Sequence, residues 1–422
     1  MDQPVRRDQL AETVERVVNE TPVFDIHTHI YPASFADLCL RGVDELLTYH
    51  YLIAEVCRAD RSVPPEAFYA MSLTQRADHI WKTLFLNGSP VSEALRGVLT
   101  TLKRFGLDVA SRDLAAYRAF FAGMSAQEHI DRVFEIANVS HVVMTNSPFD
   151  DVERAYWKAG AEQDPRFLAA LRVDALLDNW PKACATMGDQ GYDVHAHLPR
   201  ESVIELRRFL ADWAKRMDAI YLAMSLTDAY QYPTHTVEGR VMQEAILPFC
   251  REAGMPLALM IGVARQVNPA LKLAGDSVGK CDIKAIERLC AGYPDVRFLV
   301  TLLSRENQHE LCVTARKFPN LMPFGCWWFL NNPSIIEEMT RMRLELLGLS
   351  VIPQHSDARV LDHLIYKWAH SRAIIARALT EKLAAAMDTG WTLTESDIRR
   401  DVRRLLRGNF IGFTGIGHRM SE

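Results

Sequence analysis

The chain has 422 residues, 49 % hydrophobic and 24 % charged, with a formal net charge of −5. Such a composition supports a large buried core and excludes a disordered chain. Mild acidity without a basic block argues against nucleic acid as a partner, while a small anionic substrate remains open because a few placed arginines decide that locally.

From the N-terminus, the first segment is charged and amphipathic and lacks an apolar signal core. The apolar run Val23–His27 follows and predicts a first strand. About 110 residues then pass before the next such run, far beyond an ordinary strand-to-helix loop. Within them Leu38–Cys57, Pro65–Asn87 and Val109–Ile136 read as helical, so an all-helical insertion is expected over the end of the first strand. Further apolar runs are His141–Thr145, Phe167–Val173, Ile220–Leu226, Leu257–Val263, Val296–Leu303, Met322–Trp328 and Leu349–His355. Most are continuously apolar, as in strands buried on both faces. Helical patterns follow most of them: Val203–Met217, Val241–Ala253, Ile283–Ala291, Asn307–Lys317, Pro333–Leu347 and Ala358–Leu383. Strand and helix alternating eight times predict an α/β fold, a (β/α)₈ TIM-type barrel with a large helical insertion after strand one. An open doubly wound sheet is the competing arrangement. The expected division is 1–30 for the N-terminal helix and strand one, 31–136 for the insertion, and 137–422 for the rest of the barrel with its C-terminal helices. Thr394 and Asp397 open the last helical stretch as a capping box with Asp in place of Glu. Eight cysteines (Cys39, Cys57, Cys184, Cys250, Cys281, Cys290, Cys312 and Cys326) form no C-x-x-C pair, as expected of free thiols in a reduced, cytoplasmic protein. No apolar run reaches membrane-spanning length, so no membrane partner is expected.

Chemistry-bearing residues gather at the predicted carboxyl ends of strands. In Phe24-Asp25-Ile26-His27-Thr28-His29, residues two apart share a face, so both imidazoles point toward the barrel mouth, where two neutral imidazoles suit zinc or a similar ion. His195-Ala196-His197 has the same spelling but no strand before it and reads as a surface loop. Gln354-His355-Ser356-Asp357-Ala358-Arg359 ends strand eight, the neighbour of strand one in a closed barrel. Asp357 is therefore a candidate third ligand, unless it merely caps the helix expected from Ala358. His50 and Tyr51 lie in the insertion and could be ordinary aromatic core. Trp327 and Trp328 end strand seven, where one of them can line a sugar pocket. Arg172 ends strand three and pairs either with an anionic ligand or with Asp174.

The strings FDIHTH, DELLTYHYLIAEV, LRVD, SRENQHELCVTARKF, NLMPFGCWWF and IPQHSDAR resemble the uronate isomerase family, a branch of the amidohydrolase superfamily of metal-dependent barrels. The resemblance spans essentially the whole chain and is nearest a shorter, divergent branch. It implies interconversion of D-glucuronate with D-fructuronate and of D-galacturonate with D-tagaturonate, by proton transfer between C2 and C1 through a cis-enediol. It also implies one divalent ion, zinc by preference, on His27, His29 and Asp357. Tyr51, Asp357 and Arg359 would then be catalytic, and His50, Arg172 and Trp328 would bind the hexuronate. In this scheme Arg359 lowers the Tyr51 hydroxyl so that it ionises and serves as base. A homo-oligomer is expected. The sequence departs from the superfamily's hydrolytic members after strands four to six: Met224-Ser225-Leu226, Met260 and Ser304-Arg305 stand where those carry metal ligands. A two-metal site is thus not expected. A metal-dependent hydrolase or decarboxylase on the same barrel is the first alternative, and a non-catalytic sugar-binding barrel the second.

Overall fold

The computed structural model describes residues 3–417. Among them, strands β1 (Val23–Thr28), β2 (Val139–Asn146), β3 (Phe167–Arg172), β4 (Leu222–Thr227), β5 (Leu257–Ala264), β7 (Phe298–Leu302) and β8 (Leu321–Pro323) pair in parallel in the order β1-β2-β3-β4-β5-β7-β8. A two-residue strand β6 (Ser277–Val278) pairs antiparallel with β5, off the main path. Alternate residues divide between two cores. Leu257, Leu259 and Ile261 of β5 join the large cluster shared with the surrounding helices. Ala258 and Met260 join a smaller one with Phe24, Ile26, Ala223, Leu299 and Phe324, which fills the barrel interior. Both faces of each strand are thus buried, which is why the runs lack polar alternation. Phe410, from the helix Asn409–Thr414, packs against Phe24 at 5.1 Å and belongs to the interior cluster.

The expected eighth strand forms only in part. Ile352 makes a single parallel bridge with Phe324. Pro323 and Pro353 remove donors that a longer ladder would need. The barrel closes instead through two bonds to β1: the Asp357 amide donates to the His27 carbonyl at 3.2 Å, and the His29 amide to Ala358 at 2.6 Å. The helix expected from Ala358 starts later and spans His363–Asp388. Asp357 has φ 51, a left-handed conformation outside any helix, so it is not that helix's cap. Thr394 and Asp397 do form a reciprocal capping box at the helix Glu395–Arg403.

Between β1 and β2 the structured segments are helical, including His50–Ala59, Leu73–Ile80, Glu93–Arg104, Leu114–Ala122 and Ala126–Ala137. Ser72 with Gln75 and Ser125 with Glu128 build capping boxes at two of them. Glu93–Arg104 went unpredicted. It packs closely on the helix His363–Asp388 at Gly97, where an added Cβ would lie 2.7 Å from the Tyr366 ring. Among the described residues no helix is long and apolar enough to cross a membrane.

Candidate active site

The site begins with an irregularity in β1. Its pairing with β2 slips between Asp25 and Thr28, three residues advancing on β1 against two on β2. The strand is therefore bulged where the histidines emerge, and the Tyr221 hydroxyl donates to the Ile26 carbonyl there at 2.7 Å. His27 and His29 stand edge to face, with ring centroids 5.2 Å apart. Both turn Nε2 toward Asp357 Oδ1, at 3.8 Å from His27 and 3.3 Å from His29. Thr145, from the adjoining β2, fixes the second ring. Its hydroxyl donates to the Thr28 carbonyl at 3.0 Å, so its contact with His29 Nδ1 at 2.9 Å must be as acceptor. The proton then sits on Nδ1, and Nε2 keeps a free lone pair facing Asp357.

The atoms of this group are unsatisfied by protein. Both ring nitrogens of His27 and Oδ1 of Asp357 are buried with no hydrogen-bond partner among the described residues. Buried polar atoms ordinarily have partners, and these converge on one point with two nitrogen donors and one oxygen. A divalent ion fits the donor set. Among the described residues no other group of histidine, cysteine and carboxylate side chains has that arrangement. Met224 and Met260 are buried in the cores, so β4 and β5 offer no ligand at those positions. His195 and His197 are solvent-exposed, and His195 faces Asp193 at 3.2 Å, as a surface loop should.

Burial governs the electrostatics. It pushes His29 down to about 4 and His27 well below its ordinary value, so both imidazoles are neutral at pH 7. Burial also opposes the Asp357 charge, but His29, His27 and Arg359 outweigh it and hold the carboxyl well below the usual range. Arg172 lies 22 % exposed and takes Asp174 bidentately, Nε at 2.8 Å and Nη2 at 3.0 Å. Burial works against its charge, yet Asp174 more than restores it. Its Nη1 has no partner among the described residues, and the guanidinium acts on both His27 and His29.

One electrostatic expectation is corrected. The Tyr51 hydroxyl is not lowered: burial raises it well above 10, Tyr49, Asp357 and Tyr366 add to the rise, and the Arg359 charge does not outweigh them. Arg359 also acts to lower Tyr49, although burial still keeps that phenol strongly raised. Tyr51 is therefore a neutral phenol at rest.

His50 and Tyr51 open the helix His50–Ala59, immediately after Tyr49 in extended conformation. The His50 ring meets Tyr51 at 4.5 Å and Trp328 at 5.4 Å. Together these three line a cavity of about 240 Å³ with Tyr366, Asn331 and Leu273. Trp328, not Trp327, faces this space, with its own φ at 46. His27, His29 and Asp357 do not line this cavity, but His29 and Asp357 act electrostatically on His50 in its wall. Sequence reasoning missed several members of this neighbourhood. Asp25 is fully buried, accepts from Trp368 Nε1 at 2.7 Å and from the Ser356 amide, and is pushed up to about 6 by burial. His355 stacks edge-on to His27 at 5.4 Å, under Gly325, where a Cβ would lie 1.7 Å from its Nδ1. Thr145 and Lys367 complete the set. The acid in FDIHTH and the histidine in QHSDAR were visible signals for the first two; nothing local marks the others.

A parallel barrel that brings two imidazoles and a carboxylate together where its first strand meets the closing segment defines a barrel enzyme with a candidate metal site. No protein-family model and no curated protein matches the chain. Among solved structures it is 52 % identical to a uronate isomerase from Bacillus halodurans, over 98 % of each chain, with a TM-score of 0.96. The chain belongs to the uronate isomerase family. It shares its fold with a uronate isomerase from Thermotoga maritima, at 15 % identity over 98 % of each chain and a TM-score of 0.76. The same holds for a glucuronate isomerase from Caulobacter crescentus, at 14 % identity over 97 % of this chain and 94 % of that one, with a TM-score of 0.73.

Proposed function

We propose that this enzyme interconverts aldo- and keto-hexuronates, D-glucuronate with D-fructuronate and D-galacturonate with D-tagaturonate. The observation that carries this is the convergence of His27, His29 and Asp357 within electrostatic reach of His50, which lines a cavity with Tyr51 and Trp328, in a chain 52 % identical to a uronate isomerase. His27 Nε2, His29 Nε2 and the Asp357 carboxylate would hold one divalent ion, with zinc favoured by the imidazole pair. Bound there, the ion supplies positive charge for substrate oxygens.

The remaining work falls to side chains. Arg172 offers Nη1 to the substrate carboxylate while Asp174 keeps its fork oriented. Trp328 presents an aromatic face to the sugar, and His50 sets the distance between that face and Tyr51. Tyr51 Oη, in its ionised form, takes the proton from C2 and returns it to C1. The C2–H bond breaks as O–H forms, and that O–H breaks as C1–H forms, so the phenolate is regenerated. Asp357, ionised beside it, moves the hydroxyl proton from the C2 oxygen to the C1 oxygen and assists ring opening. Arg359 stabilises the anionic oxygens from the Tyr49 side. Hydrolysis is less supported, because β5 presents Met260 to the barrel interior and β4 turns Met224 into the outer core, so neither supplies a histidine, lysine or carboxylate there.

Tyr51→Phe tests the base. Turnover is expected to fall by about 10²–10⁴-fold, and exchange of the C2 hydrogen with solvent to fall with it. Wild-type turnover and exchange in that variant would remove Tyr51 from the chemistry.

A further inference from the structure

Lys367 is a charge that the scheme above does not use. It sits in the first turns of the helix His363–Asp388, is 3 % exposed, and its Nζ has no hydrogen-bond partner among the described residues. A buried ammonium has three donors to satisfy and ordinarily pairs with a carboxylate. Lys367 instead lies against two aromatic rings, 5.7 Å from the centroid of Tyr51 and 6.0 Å from that of Tyr366. The close approach at Gly97 fixes the second of these rings.

The carboxylates that attract it from a distance are Asp357, Asp25 and Glu93. Each has other partners: Asp25 takes Trp368 and Ser356, Glu93 takes His370 Nδ1 at 2.5 Å, and Asp357 faces His29. The cation is thus held beside Tyr51 without being neutralised by a contact ion pair. Replacing such a group by an apolar one is ordinarily neutral or stabilising, so its presence calls for a role outside stability. The reaction supplies one. Tyr51 must lose its proton in a site where burial opposes ionisation and the Arg359 charge does not outweigh it. Burial draws Lys367 down only to about 8, so it is largely charged at pH 7.

We infer that Lys367 is a positioning residue for the isomerisation, its ammonium offsetting the negative charge of Tyr51 while the phenol oxygen is without its proton. This rests on Tyr51 as the C2 base, and the variants below separate the two. Lys367→Met is made in the metal-loaded enzyme alongside Tyr51→Phe and the double variant, and kcat, KM, metal content and thermal midpoint are measured with D-glucuronate. In Lys367→Met, kcat is expected to fall about ten- to hundredfold, the size of an opposite charge acting on a nearby titrating group. KM should stay within about threefold, and metal content and midpoint should be unchanged or higher, as expected when an unpaired buried charge is removed. The double variant should be no slower than Tyr51→Phe alone, because the two act as one unit. Turnover in Lys367→Met within about twofold of wild type overturns the inference while leaving Tyr51 in place, and so do multiplying losses in the double variant. Wild-type turnover in Tyr51→Phe removes the base, and the role of Lys367 with it. Where Lys367→Met does not fold, Lys367→Arg and Lys367→Gln replace it: the charged variant should retain more turnover, and equal losses overturn the inference.

Discussion

Thr145 gives His29 a fixed tautomer, and among the described residues none does the same for His27, whose two nitrogens both lack partners there. Thr145→Val keeps the shape and removes the acceptor. Affinity for the divalent ion is expected to fall about 10- to 100-fold, as for other lost partners of metal-bound histidine, which a competition titration with a chelator measures. Activity should also follow Tyr51. Because burial holds its hydroxyl well above 10, the ionised fraction grows tenfold per pH unit below that value. The logarithm of kcat is therefore expected to rise with a slope near one from about pH 6 to 7.5 and to flatten above about 8, where Lys367 loses its charge; a flat profile below about pH 7.5 would exclude Tyr51 as the base. Part of this chemistry was legible in the sequence. Two histidines at strand spacing announce themselves, and Asp357 follows once the barrel is taken to close. Thr145 and Lys367 carry no local signal, because their importance lies in what stands opposite them across 116 and more residues of chain. The direction of the Tyr51 shift was also hidden: arginine and tyrosine can be read from sequence, but the burial that outweighs their attraction cannot.

At the scale of elements, the strands were legible from continuous apolar runs and the insertion from its length. The eighth strand was not, because Pro323 and Pro353 interrupt pairing in a segment that still has strand-like composition. Glu93–Arg104 hid because Gly97 and two threonines weaken its helical signature, while its packing on Tyr366 stabilises it from outside the segment. The closing segment concentrates the local constraints. Gly325 adopts φ 61 and passes directly over His355. Gly325→Ala meets both a left-handed backbone and a Cβ overlapping an imidazole nitrogen. It is expected to destabilise by about 2–4 kcal/mol in a denaturant titration, the sum of a strained backbone and an overpacked core. A change below about 1 kcal/mol would mean that His355 moves freely and does not brace His27.

In the whole molecule, the insertion leaves β1, and its helix His50–Ala59 brings His50 and Tyr51 to the cavity wall, with His50 within electrostatic reach of His29. The cost is a set of buried titratable groups that bears on stability against acid. His27, His29, His50, His355 and His363 are all shifted downward by burial, to about 4 for His29 and about 3 for His355. Unfolding frees each imidazole to take up a proton near its ordinary value, so stability falls as pH drops below about 6.5. The ceiling is about 1.4 kcal/mol per pH unit for each histidine not yet protonated in the folded state. Asp25, raised to about 6, works the other way, since the folded state binds its proton first and gains as pH falls from about 6 toward 3.8. Several histidines against one carboxyl leave the net slope with the histidines. The metal-free protein is therefore expected to lose thermal stability steadily between pH 6.5 and 4.5, as scanning calorimetry can follow. The central claim is that this site moves a proton between C2 and C1 of a hexuronate. Incubating the metal-loaded enzyme with D-glucuronate, and separately with D-galacturonate, in deuterated water and following both by proton NMR tests it most directly. The expected result is D-fructuronate and D-tagaturonate at equilibrium with their aldoses, with deuterium entering at the carbons that exchange the proton. Unchanged substrate, or a product smaller than a hexuronate, would contradict it.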